Sequence, residues 1–336
     1  MLESGGESGG SQVHGFNIIT LPEMLQELID ILVCPHCGGA LRENNGALVC
    51  SKGHTNNIAR QGYVSLLGRD AGTHTADSVE MVAARERFLG AGHYEPIAAA
   101  IADALGEVES EAPFADIGSG PGWYLGQLVD REAGRFGLAV DNSKFAARKA
   151  AKVHPRVGAV VADIWDELPV ADGSVAAAIN VFSPRNGSEI HRILEPGGRL
   201  VVVTPGADHL KELIGPFGMI SVDPDKQERL ERTLGEDFDA ADAGPKDIHW
   251  EMALSREAVA DLVGMGPSAD RLDKAALAGA LAGLDDVTKV TASVQVSAFT
   301  ARPEIVYVES AEADEDDPDV EETFDDGSEF EHLDEG

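Results

Sequence analysis

The sequence predicts an α/β protein: a doubly wound, mostly parallel sheet, with a small cysteine-bearing module ahead of it. Three observations predict this. Short apolar strands alternate with helical stretches between residues 114 and 205, as crossover helices in a parallel sheet require. A glycine-rich turn joins the first of those strands to its helix. All three cysteines of the 336-residue chain fall between positions 34 and 50.

In chain order, residues 1–30 read as a flexible segment, although 23–33 could form a short amphipathic helix or lead into a strand. Residues 31–67 are the strand-like, cysteine-bearing module. Residues 68–105 are a linker: a polar loop at 68–78, then a helical stretch from Val79 to Leu105 interrupted at Gly90 and Gly92. In that stretch Met81, Ala84, Phe88 and Leu89 share one face. The main domain covers 106–308. Strands are expected at 114–118, 135–141, 158–163, 175–183 and 199–205, and helices at 123–133, 143–153 and 188–198. Residues 210–235 and 255–284 read as mainly helical. Residues 287–299 alternate with period two, as an antiparallel strand or hairpin does. Residues 309–336 form an acidic tail expected to be disordered.

The net charge of −33 argues at first against a nucleic-acid partner. It is unevenly spread. The last 28 residues hold 15 acids and no Lys or Arg, and without them the net charge is −18. Residues 142–160 hold five bases (Lys144, Arg148, Lys149, Lys152, Arg156) and no acid. These are either a solvated helix face or a place where an anion can approach. No apolar run is long enough for a membrane-spanning helix, and the N-terminus lacks a secretory pattern, so no membrane partner and a cytoplasmic location are expected.

Cys34-Pro-His-Cys37 is followed after twelve residues by Cys50 and, three residues further on, by His54. Two close pairs on neighbouring turns can complete a tetrahedron around structural zinc, with no position left open for catalysis. Cys34, Cys37, Cys50 and His54 are therefore the expected ligands, with His36 as a conceivable substitute. So small a module would draw part of its folding energy from the metal.

Asp116-Ile-Gly118-Ser-Gly120-Pro121-Gly122 follows a strand and opens a helix. Glycines there let the backbone approach a bulky ligand. A nicotinamide or flavin site needs a third glycine at position 123, which is Trp. The observed pattern resembles instead the first motif of class I methyltransferases, whose loop wraps the methionine end of S-adenosylmethionine. Asp141 ends the next strand, where a carboxylate can receive both ribose hydroxyls. Asp163 ends the third, where the adenine amino group would be read, although an isolated Asp there also suits a helix cap.

Together these features resemble the 23S rRNA (guanine-N1)-methyltransferases, known as RlmA or RrmA. The resemblance rests on the zinc ligands, Gly62-Tyr63-Val64-x-Leu66-Leu67, Asp77-Ser78-x-Glu80-Met81-x-x-Ala84-Arg85-x-x-Phe88-Leu89 and Ala91-Gly92-His93-Tyr94-x-Pro96. It continues through Thr204-Pro205-Gly206-x-x-His209-Leu210 and Met265-x-Pro267, and spans about residues 31–308. It implies a Rossmann-like class I methyltransferase domain behind a zinc ribbon that helps grip an RNA hairpin of large-subunit ribosomal RNA. It also implies an S-adenosylmethionine site lined by Tyr94, Gly120 to Gly122 and His209, and a homodimer. The family's Phe-Asp after the zinc histidine reads Thr55-Asn56-Asn57 here.

Guanine N1 carries a proton at neutral pH, so a base or a group that stabilises anionic guanine is expected. No residue is singled out as that base. In Asn180-Val-Phe-Ser-Pro184, at the end of the fourth strand, Phe182 is placed to stack on an extruded base and Arg185 to meet a phosphate or a guanine oxygen. Two other readings stand beside this one: a small-molecule methyltransferase carrying a zinc module, and a binding module that has kept the fold. The rRNA reading is separated from the first of these by a test: removal of residues 1–60 should abolish RNA methylation and leave cofactor binding largely intact.

Overall fold

The computed structural model describes residues 23–68, 76–220, 230, 232–266 and 274–303. Residues 1–22 of the segment expected to be flexible, part of the polar loop and the acidic tail lie outside these residues.

The large sheet follows from the sequence alternation. Its strands are β4 (Tyr63–Ser65), β5 (Phe114–Ile117), β6 (Gly137–Asp141), β7 (Val157–Val161), β8 (Val175–Val181), β9 (Leu194–Pro205), β10 (Phe238–Ala240), β11 (Lys246–Ser255) and β12 (Val287–Ala301). The order is β10-β12-β9-β8-β5-β6-β7-β4, with β11 also beside β12. Strands β4 to β9 pair in parallel, and β12 runs antiparallel to β9, β10 and β11. Both faces are covered, so β5 to β8 are buried along their whole length and mostly apolar, with Asp116, Asp141 and Asn180 as the polar exceptions near the C-terminal ends. In β9, Leu200 and Val202 join one core cluster, while Val201 and Val203 join the other.

The chain leaves β5 in one direction to β6 and β7, and later returns on β5's other side to β8 and β9. This reversal opens a crevice at the C-terminal strand ends, where ligands of doubly wound sheets bind. The turn after β5, Asp141, Asp163 and Phe182 all sit along that edge because their strands run the same way.

Helices α2 (Val79–Gly90), α3 (Glu95–Leu105), α4 (Trp123–Arg131) and α5 (Lys144–Ala150) follow their expected positions. Ser78 caps α2 by accepting the Met81 N–H, and Ser143 caps α5 by accepting the Ala146 N–H. Further helices are α6 (Gly187–Ile193), α7 (Lys211–Phe217), α8 (Arg256–Gly264) and α9 (Lys274–Ala282). The expected helix at 188–198 stops at Ile193, and Leu194 to Gly198 already belong to β9. Pro196 has no N–H to continue a helix, and Gly197 takes φ +79°.

Of the two forms open for residues 23–33 the helix is present, so the segment expected to be flexible to residue 30 is ordered from Glu23. Residues 23–28 form α1 (Glu23–Leu28), and Leu25 and Leu28 are fully buried. A Cβ added to Gly158 in β7 would lie 2.6 Å from Leu28 Cδ1, so that glycine makes room for the helix. A short 3-10 turn follows. Val33 N–H then donates to Pro169 O and Ala171 N–H to Ile31 O. The metal module proper is the antiparallel sheet of β1 (Leu41–Asn44), β2 (Ala47–Cys50) and β3 (Thr55–Asn57). Strand β4, expected within the module, is instead the edge of the large sheet. The module is thus fastened at both ends, and cutting at residue 60 would remove core leucines of the main domain as well. Among the described residues no helix is long and apolar enough to cross a membrane.

Candidate functional site

Cys34, Cys37, Cys50 and His54 converge, with ligand atoms within 4.8 Å of one another. His54 Nδ1 is 3.4 Å from Cys34 Sγ and 3.5 Å from Cys50 Sγ, and Cys37 Sγ is 3.8 Å from Cys50 Sγ. A tetrahedron with Zn–S near 2.3 Å and Zn–N near 2.1 Å has edges of about 3.8 Å between sulfurs and about 3.6 Å between sulfur and nitrogen. The four atoms therefore have the spacing of a tetrahedral zinc site. His36 is exposed and rests edge-on against the His54 ring at 5.2 Å, outside the set.

The second constellation is built on the turn after β5. Gly118, Gly120 and Gly122 take φ of +79°, +53° and +77°. A Cβ at Gly118 would overlap the Ser183 hydroxyl and stand 2.6 Å from its Cβ, so the turn lies directly against the loop after β8. A Cβ at Gly122 would stand 3.0 Å from that of Ala150. Pro121 faces the outer side of the turn, in a groove shared with Trp123. Arg85 packs over Gly120; it pairs with Asp77 and donates to Met265 O at 2.7 Å. Asp77 O in turn accepts the Ser143 hydroxyl at 2.8 Å. The linker thereby closes over the glycine turn, a role for Asp77 and Arg85 that the sequence pattern alone did not assign.

Three carboxyl groups mark the edge. Asp141 accepts the N–H groups of Gly120 and Ser143, each at 2.8 Å; burial raises its pKa and these donors oppose the rise. Asp163 is buried and accepts the Trp165 N–H at 3.0 Å. Asp116 differs: it is 1% exposed, and neither oxygen has a hydrogen-bond partner among the described residues. Burial, and then the nearby Asp141 charge, push its pKa well above the carboxylate range. The Tyr124 hydroxyl, also buried, lacks a partner as well. Buried carboxyl oxygens left without partners are costly unless a ligand meets them, and a cationic ligand suits them best.

An aromatic wall completes the site. Tyr94 is buried, and burial raises its pKa. Its Oη lies 3.4 Å from His209 Nε2. His209 Nδ1 accepts the Ser293 N–H at 3.2 Å, so a neutral ring carries its proton on Nε2 and donates it to Tyr94. Phe182, directly after β8, takes φ +53°, is 38% exposed and lies 5.5 Å from the His209 ring and 6.1 Å from that of Tyr94. Asn180 donates to Ile117 O at 2.8 Å and Pro184 O at 2.9 Å and accepts Arg185 Nε at 3.2 Å, so it braces this loop. Arg185 keeps both Nη groups without a partner among the described residues, and burial lowers its pKa. Trp250 on β11 meets Tyr94 edge-on at 5.9 Å and donates to His93 O at 3.2 Å. The period-two alternation of Ile248, Trp250, Met252 and Leu254 is the signal that would have found this strand. A cleft of about 790 Å³ lies on the outer side of Trp250, and none of the three carboxyl groups lines it.

Among known proteins, a family model described as RlmA, N-terminal, a zinc ribbon, matches residues 32–69. A 23S rRNA (guanine(748)-N(1))-methyltransferase of Streptomyces fradiae is 42% identical over 274 residues, covering 81% of this chain and 97% of its own length. A provisionally named 23S rRNA (guanine-N(1)-)-methyltransferase of Micromonospora griseorubida is 43% identical over 295 residues, 82% of this chain and 99% of that one. A third, of Bacillus subtilis (strain 168) and again provisionally so named, is 31% identical over 247 residues, 70% of this chain and 86% of that one.

Proposed function

Because the chain belongs to the 23S rRNA (guanine-N1)-methyltransferase family, we propose that it transfers a methyl group from S-adenosylmethionine to N1 of a guanine in large-subunit ribosomal RNA. The observation that carries this is 42% identity to the Streptomyces fradiae enzyme across 97% of that enzyme's length, with the glycine turn and its carboxyl groups intact. Guanine 748, the position in that relative's name, is the proposed target.

S-adenosylmethionine supplies an electrophilic methyl on a sulfonium that also carries an ammonium group. The partnerless Asp116 carboxyl fits such a cation, and the glycine turn gives it backbone access. Asp141 and Asp163 would receive the ribose and adenine, and Gly118, Gly120, Pro121, Gly122, Tyr94 and His209 would line the cofactor. Phe182 stacks the extruded guanine, its exposed ring held in place by the strand end behind it. The free Nη fork of Arg185 meets guanine O6 and stabilises the negative charge that develops there as N1 gives its proton to solvent water. Positioning supplies much of the rate, because a direct displacement needs nucleophile, carbon and leaving group in line. Cys34, Cys37, Cys50 and His54 would hold structural zinc, which would tie the turns of the module together. The reaction takes place in the cytoplasm, and the homodimer that the resemblance implies is tested by sedimentation.

The experiment is transfer of labelled methyl from S-adenosylmethionine to unmodified large-subunit rRNA, followed by chromatography of the nucleosides. Label in 1-methylguanosine is the expected result. Cofactor binding without label in RNA would favour the small-molecule reading.

A further inference from the structure

A second groove lies between α2, α5 and the start of α4, with a volume of about 410 Å³. Its apolar lining includes Trp123, Phe145 and Val79, the last 49% exposed. Its rim carries Arg148, Lys149 and Lys152. Glu86 is the only carboxylate among the lining residues, and Lys149 neutralises it at 2.5 Å. Arg148 and Lys152 are exposed and have no partner among the described residues. Pro121 of the glycine turn forms part of the same wall, so the groove begins on the outer side of the cofactor loop.

The charge here runs against the rest of the chain. Of 26 Lys and Arg in a chain of net charge −33, five fall within residues 142–160, where no acid occurs. A helix face kept only for solubility in so acidic a protein has no need to collect bases, nor to place them around aromatic rings. Bases beside aromatic rings in a groove are the combination that holds single-stranded nucleic acid: the cations meet phosphates and the rings stack on bases.

We propose that this groove holds a segment of the substrate RNA flanking the target guanine, with Arg148 and Lys152 on its phosphates and Trp123 or Phe145 against a base. This rests on the reading of the protein as an rRNA methyltransferase and adds a contact surface separate from the zinc module. Two anchors follow: the ribbon grips one part of the RNA, and the groove guides the strand past the cofactor turn.

The test is the full-length double variant R148E/K152E, compared with wild type and with R148K/K152R, on an unmodified 23S rRNA fragment. The expected result is a KM for RNA raised at least about tenfold, with kcat and S-adenosylmethionine affinity unchanged. The dependence of RNA affinity on salt should also become shallower by about 1.5 in the log–log slope, the share of two phosphate contacts. The conservative pair should keep the wild-type values. Wild-type KM and salt slope in R148E/K152E would overturn the proposal, as would a loss that salt does not affect, which is the mark of a protein partner or a structural role. If wild type itself fails to methylate the RNA, the functional reading fails; filter binding of the same RNA to wild type and variant then still decides whether the groove holds it.

Discussion

Replacing Gly118 by alanine tests the contact between the glycine turn and the loop after β8. Two effects are separable there. Gly118 has φ +79°, a conformation that costs an ordinary residue roughly 1–2 kcal/mol. A Cβ would also overlap Ser183, whose own Cβ would stand 2.6 Å away, and forcing that overlap in a packed region costs roughly 1–3 kcal/mol. Together they amount to about 2–5 kcal/mol, or on the order of 3–7 °C in Tm for a protein of this size. Calorimetric melting and titration with S-adenosylmethionine measure both stability and cofactor affinity. Adding Ser183→Gly should restore the packing share, about 1–3 kcal/mol, and leave the backbone share. A Gly118→Ala protein that melts and binds cofactor as wild type does would refute the reasoning. No recovery in the double variant would refute the steric half of it.

Five further outcomes follow from the same structure. Leu28→Ala, which removes a fully buried side chain between α1 and β7, should cost about 2–5 kcal/mol in chemical denaturation; a cost near zero would mean that α1 does not anchor the module. Cys50→Ser should lower bound zinc, measured by metal analysis, and lower the melting temperature, whereas a full zinc complement in the variant would remove Cys50 from the ligand set. Burial raises the pKa of Asp116, so between the ordinary carboxylate range and its raised value the folded protein holds a proton that the unfolded chain has lost; stability should fall as pH rises through that window, and Asp116→Asn should flatten the trend. A bound cation favours the carboxylate, so cofactor affinity should rise with pH through the same window with release of a proton, seen as a dependence of titration heat on buffer ionisation; the same heats in every buffer would contradict it. Phe182→Ala should lower kcat/KM for RNA by roughly 1–3 kcal/mol in transition-state terms, the value of one base–aromatic stack, while cofactor affinity stays unchanged; equal loss of both would place Phe182 in the cofactor site.

Much of the site was legible in the sequence because chemistry fixes its spacing. Cys34, Cys37, Cys50 and His54 converge on one point, and two close pairs on neighbouring turns are a pattern that brings four ligands together. The glycine turn and the carboxyl residues at successive strand ends are equally local, since each sits where a strand stops. What was hidden depends on contacts between distant segments. Nothing in the pattern around Leu25 and Leu28 says which surface they meet; Gly158, 130 positions after Leu28, opens that space. Strand β4 was assigned to the metal module because it adjoins it in sequence, whereas its partner β7 lies about a hundred residues away. Arg85 closes over Gly120 through a hydrogen bond to Met265 O, which no periodicity of α2 could announce. Strand β11 is legible from its alternating apolar residues, but that Trp250 meets the Tyr94 ring depends on a contact between segments more than 150 residues apart.

The most direct test of the central claim is reverse transcription across an unmodified 23S rRNA transcript after incubation with the protein and S-adenosylmethionine. A methyl on guanine N1 blocks the Watson–Crick edge. The account therefore predicts a single cofactor-dependent stop one nucleotide before the target guanine, at position 748 or its equivalent, absent when S-adenosylmethionine is left out. Methyl incorporation without any stop, or a stop at a base other than guanine, would contradict it.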